Sequence, residues 1–161
     1  MNRITGITAA GIFLIAVFII AFEANAQEKR ISKKDVPQAV ISAFEKSYPN
    51  AKVKAYSTEK ENGKTYYEVE SMQGKSTLDV SYLSDGTAAE IEEGVKEKDL
   101  PTPVVETVNA KYPKDKIVKA EKRTVGTSVT YEVRVKIGKA YESIVVDPTG
   151  NIITEQDGEE D

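Results

Sequence analysis

The second half of this chain repeats the first at a constant spacing of 64 residues, without insertion or deletion. Lys34, Asp35, Pro37, Val40, Tyr48, Pro49, Lys52, Tyr67, Glu68, Val69, Gly74, Lys75 and Gly86 return as Lys98, Asp99, Pro101, Val104, Tyr112, Pro113, Lys116, Tyr131, Glu132, Val133, Gly138, Lys139 and Gly150. Turn formers, helix boundaries and strand-core residues dominate the set. Such residues recur when a structural unit is duplicated, because each copy needs the same turns and the same buried face. The chain is therefore expected to be a scaffold that presents a surface.

Each copy opens with a helix pattern. Asp35 is expected to cap it, with Pro37 in the first turn, where its missing N–H costs little. Val36, Val40, Ile41, Phe44 and Tyr48 then fall on one face, and Pro49 ends the helix. Asp99, Leu100, Pro101, Val104, Val105, Val108, Tyr112 and Pro113 repeat the arrangement. After each helix the period drops to two. Tyr131, Val133, Val135 and Ile137 alternate with Glu132, Arg134 and Lys136, as in a strand with one buried and one wet face. Tyr67 and Val69 point inward in the first copy, and Tyr66, Glu68 and Glu70 outward. Gly74 and Gly138 mark hairpins, while Ser84-Asp85-Gly86 and Asp147-Pro148-Thr149-Gly150 mark turns.

The expected fold is α+β, with two tandem repeats. Each is one helix followed by a four-stranded antiparallel sheet, and the helices pack on one sheet face. The expected boundaries are 27–95 and 96–154, with Lys96-Glu97-Lys98 as a polar linker. A unit of this size is only marginally stable alone, so the copies should lean on one another.

The ends read differently. Residues 1–26 resemble an export signal, with Arg3 before an apolar stretch and Ala24-Asn25-Ala26 as a cleavage site. An uncleaved anchor is the competing reading, because Ile4 to Phe22 is nearly long enough to span a bilayer. With cleavage after Ala26 the protein is expected to be periplasmic or secreted, with no membrane span. The net charge of −4 is concentrated in an acidic tail at 155–161, expected to be solvated and disordered.

The Val36-Pro37 and Leu100-Pro101 helix starts, the Tyr48-Pro49 and Tyr112-Pro113 helix ends, and the Tyr67-Glu68-Val69 and Tyr131-Glu132-Val133 strand cores, together with the Asp85-Gly86 turn, resemble those of the PepSY-like family. The fold of that family is related to the β-lactamase inhibitor protein. The resemblance runs from about Asp35 to Thr154. It implies an exported, non-catalytic module that binds, and in some members inhibits, an exported enzyme such as a peptidase or β-lactamase. Members often carry a tryptophan in the first strand of a unit; here Tyr56 and Ala120 stand nearest, and the chain has no tryptophan.

Histidine and cysteine are absent. The usual general base, soft metal ligands and common nucleophile–base pairs are therefore missing. Glu68/Glu70 and Glu92/Glu93 are carboxylate pairs, but Glu68 and Glu70 share a wet face and are expected to titrate normally. No cofactor and no metal site is expected, and Asp147–Asn151 reads as a β-turn. No basic stripe with interleaved aromatics suggests nucleic acid. The candidate binding residues are Tyr66, Glu68, Glu70, Glu132, Arg134, Lys136 and Tyr141, on the open sheet face. The expected partner is a protein, with the oligomeric state left open. The alternatives are a small-molecule or ion-responsive envelope protein and a structural envelope component.

Overall fold

The apolar stripes and alternating strands meet in a computed structural model that describes residues 28–160. The export-signal segment and its cleavage site lie outside the described residues. In chain order the elements are β1 (Lys29–Ile31), α1 (Gln38–Ser47), β2 (Lys52–Glu61), β3 (Lys64–Gln73), β4 (Ser76–Tyr82), β5 (Ala88–Gly94), α2 (Thr102–Lys111), β6 (Lys116–Val125), β7 (Ser128–Ile137), β8 (Ala140–Val146) and β9 (Ile152–Glu160).

The expectation of two four-stranded sheets is overturned. All nine strands form one antiparallel sheet in the order β1 to β9. The repeats fuse because β5 pairs with β6 from Ile91↔Thr124 to Gly94↔Glu121. Without that pairing, each unit would leave an edge of unsatisfied backbone donors and acceptors. Residues 29–31 add the short β1 beside β2.

Both helices cover the same side of this sheet. Directly opposed residues in an antiparallel ladder share a face. Val80 opposes Ile91, Ile91 opposes Thr124, and Thr124 opposes Val129, which shares its face with Val133 four residues on. Beneath α1, the residues Val40, Ile41 and Phe44 pack with Val69, Leu78, Val80 and Tyr82. Beneath α2, Val104 and Val108 pack with Leu100, Tyr112, Val133, Val135, Ile144 and Val146. The sheet is shared, but the two hydrophobic cores are separate.

The helix starts differ from expectation. Asp35 ends a 3-10 turn at Lys33–Asp35 and makes no side-chain cap. Pro37 and Pro101 themselves stand at the N-cap positions, while Tyr48 and Tyr112 close the helices through backbone N–H bonds to Phe44 and Val108. Proline's missing N–H costs least at this boundary, where helical donors have no intrahelical partner. The acidic end differs too. The backbone of β9 stays paired with β8 as far as Ala140↔Glu160, so a disordered tail is not what forms.

The duplicated glycines have a packing reason. Gly86 lies at φ +86, and a Cβ there would come within 2.7 Å of the Ala39 carbonyl oxygen at the start of α1. Gly150 repeats this against α2, at φ +94, with the Pro103 carbonyl oxygen and Thr107 Oγ1 both at 3.0 Å. The Thr107 hydroxyl also donates to the Gly150 carbonyl at 2.7 Å. Each turn therefore seats its helix on the sheet.

Candidate functional site

The sheet side opposite the helices is covered by no helix among the described residues. The strand register defines what it presents. Glu68 opposes Ser57 and Ser81, Glu70 opposes Ala55 and Asp79, and Tyr66 opposes Glu59. Glu90 and Glu92 continue the same face on β5. Across the repeat boundary Glu92 opposes Arg123, after which come Glu121, Glu132, Lys119, Arg134, Lys136, Ser143 and Tyr141. All seven candidate binding residues thus lie on this one face, in two groups. Tyr66, Glu68 and Glu70 stand on β3. Glu132, Arg134 and Lys136 stand on β7, with Tyr141 beside them on β8.

The first group belongs to a larger acidic arrangement that strand alternation alone did not reveal. A concavity of about 240 Å³ is lined by Glu59, Glu61, Tyr66, Glu68, Asp79, Ser81, Glu90, Glu92 and Arg123. Glu70, Asp79 and Glu92 form a direct row of carboxylates across β3, β4 and β5. Like charges directly opposed in a sheet destabilise it. Arg123 ends that row. Its guanidinium pairs with both carboxylate oxygens of Glu90, the Nη2–Oε2 contact being 2.8 Å, and its Nε lies 3.7 Å from Glu92. This pairing spans the junction between the repeats.

The carboxylates respond to crowding and burial. Burial raises Glu92, and Glu90 adds a hydrogen bond to its protonated form and a repulsive charge, so that its pKa reaches about 8. Burial also raises Glu68, Asp79 and Glu59. The Ser57 hydroxyl opposes the shift at Glu68 by donating to it at 2.8 Å. Glu68 is therefore not the freely solvated group that strand alternation suggests. The Glu92/Glu93 pair also separates, because Glu93 opposes Leu78 on the helix side and pairs with Lys122 at 3.2 Å.

The second group sets two cations and an aromatic ring beside Glu132. The Arg134 guanidinium lies 4.6 Å from the Tyr141 ring centre and the Lys136 ammonium 5.3 Å. These contacts hold the two cations over an otherwise polar surface.

Glu28, Glu68 and Glu70 bring carboxylate oxygens within 4.8 Å of one another, the one described grouping with donors for a hard cation. Arg30, 2.6 Å from Glu70, already supplies positive charge there. At Asp147 both oxygens are used within the turn, by Thr149 and Asn151. Those bonds lower its pKa to about 2.

Comparison with known proteins follows the same architecture. The sequence matches the beta-lactamase-inhibitor-like, PepSY-like family over residues 22–74 and 65–154. The chain belongs to the PepSY-like family. Similar solved structures include a protein assigned to the periplasm of Bacteroides eggerthii, with 15% identity and TM-score 0.66 over 76% of this chain and 88% of that one. A DUF2874 family protein of Bacteroides uniformis gives 18% identity and TM-score 0.64, covering 76% and 89%. A BLIP-like protein of Bacteroides fragilis gives 20% and 0.60, covering 76% and 86%. At these identities the likeness is one of PepSY-like fold. No curated protein matches.

The sequence reading missed Glu59, Asp79, Glu90 and Arg123, and named Glu92 only as the partner of Glu93. Alternation placed residues in or out within a strand, whereas this cluster depends on which strands become neighbours. The only available signal was the charge density of Glu90-Ile91-Glu92-Glu93.

Proposed function

We propose that this PepSY-like protein is an exported, non-catalytic protein-binding module that modulates an envelope or secreted enzyme by occupying part of its surface. The observation that carries this reading is the sheet face that no helix among the described residues covers, where carboxylates, the interstrand Arg123–Glu90 pair and cation–aromatic contacts are presented. Tyrosine and arginine are the residue types that most often anchor protein contacts. Export is supported by the signal-like first 26 residues and by the periplasmic assignment of the similar Bacteroides eggerthii protein. The absence of histidine and cysteine and the membership of an inhibitor-like family both speak against catalysis.

The test is capture from native envelope extract by the immobilised protein, beside a variant carrying Tyr66→Ala, Arg134→Ala and Tyr141→Ala. The expected result is an enzyme retained by the wild type and lost by the variant, with thermal unfolding nearly unchanged. Equal retention by the well-folded variant would remove the open face from the reading.

The acidic concavity favours one second reading, a small cationic ligand. At about 240 Å³ it is smaller than the ~300–1,000 Å³ of usual small-molecule sites, which ranks this reading lower. A screen of cations and amines that leaves the melting temperature flat would dismiss it.

A further inference from the structure

Both signs of charge occupy the open face, at diagonally opposite corners. The row Glu70–Asp79–Glu92–Arg123 crosses the middle of the sheet. From that row towards the β2–β3 hairpin come Glu68 and Glu90, then Glu59, then Glu61, with Arg30 and Lys64 as the cations set among them. Along β6 and β7 in the other direction come Glu121 and Glu132, then Lys119 and Arg134, then Lys116 and Lys136. The acidic corner therefore lies by the β2–β3 hairpin in the first repeat, and the basic corner by the β7–β8 hairpin in the second.

We propose that the open face docks on the same face of a second copy of this chain, acidic corner over basic corner, about a two-fold axis lying in the interface. The proposal rests on the protein-binding reading above and names the occupant of that surface. A two-fold interface presents one patch to itself, so each contact is made twice. Only a diagonal axis through the β5–β6 junction exchanges the two corners. An axis along the strands would place the acidic corner over the neutral Ser128 and Thr130 end of β7. An axis across the strands would set the acidic repeat against itself. With the diagonal axis the strands of the two sheets cross steeply, which is an accepted way for sheets to pack.

A second copy suits the pattern better than an arbitrary protein. Another partner would have to carry the same diagonal arrangement, whereas a copy has it by construction. The basic corner is also arranged for contact. Lys116, Lys119, Arg134 and Lys136 are exposed, and Tyr141 holds two of these cations in place. Across the interface they would meet Glu59, Glu61 and Glu68, which outnumber the cations Arg30 and Lys64 beside them.

Sedimentation equilibrium of the purified protein tests the pairing. Mass is followed against concentration between about 20 and 500 mM NaCl, over which the screening length falls from roughly 20 Å to roughly 4 Å. The expected result is association toward twice the monomer mass at low salt, weakened at least ~10-fold at high salt. Glu59→Lys with Glu61→Lys, or Arg134→Glu with Lys136→Glu, should each weaken the dimer. An equimolar mixture of the two variants should restore it. A monomer at every ionic strength, a dimer indifferent to salt, or a mixture that fails to associate would overturn self-pairing. The salt series needs no substitution, so misfolding of a variant cannot rescue the idea. A monomer that still captures an enzyme through Tyr66, Arg134 and Tyr141 would end self-pairing while leaving the binding reading standing.

Discussion

Single residues decide how each helix sits and how the junction responds to pH. Gly86 combines positive φ with a carbonyl oxygen 2.7 Å from where a Cβ would stand, and that atom belongs to backbone. Gly86→Ala is expected to cost about 2–4 kcal/mol, strain and overlap together. Gly138→Ala, at φ +61 with nothing within 4 Å, should cost only about 1 kcal/mol. Urea unfolding of the two variants side by side checks the order. At the junction, Glu92 has a folded pKa of about 8, above its usual value near 4.5. A carboxyl raised on folding binds its proton more tightly in the native state. Its contribution is therefore fully present below about pH 4.5 and is lost as pH rises through about 8. Glu92→Gln should flatten this decline and be relatively more stable at pH 9 than at pH 5. Unfolding curves at the two pH values decide it, and parallel wild-type and variant responses would exclude Glu92 as the source.

At the scale of elements, each helix is held by its own core. Phe44 is buried between α1 and the first repeat's strands, so Phe44→Ala should cost about 3–5 kcal/mol, read from denaturant midpoints. The helix faces were legible in the sequence because Val40, Ile41 and Phe44, like Val104 and Val108, repeat at helical spacing. The strand faces were legible for the same kind of reason, since Tyr131, Val133 and Val135 alternate strictly. The helix cap was not. Asp35 has the right chemistry for an N-cap, but the backbone turns into a 3-10 segment before the helix begins, and Pro37 takes the boundary. Arg123 illustrates the same limit between elements. Its partners Glu90 and Glu92 lie about thirty residues away, on a strand whose neighbour local pattern does not specify. Arg123→Ala would leave those carboxylates facing each other and should destabilise by about 1–3 kcal/mol, seen in the same denaturant titration.

For the whole molecule, one sheet joins two cores. A lone repeat would be near the lower limit of stable domain size and would expose the β5 or β6 edge. Chains spanning 27–95 or 96–154 are therefore expected to be unfolded or self-associated, whereas the intact protein should unfold in one cooperative step. Circular dichroism of all three decides this, and a monomeric, fully folded half would contradict it. The repeat itself, its helices, its hairpin turns and the alternation of its strands were determined by the sequence alone, because each rests on spacing and backbone preference within a few residues. The merging of two units into nine strands, the continuation of β9 through Glu160 and the gathering of acids around Arg123 were decided by tertiary structure. Those features depend on which strand edge finds which, and pairing energy between distant segments leaves no period in the sequence.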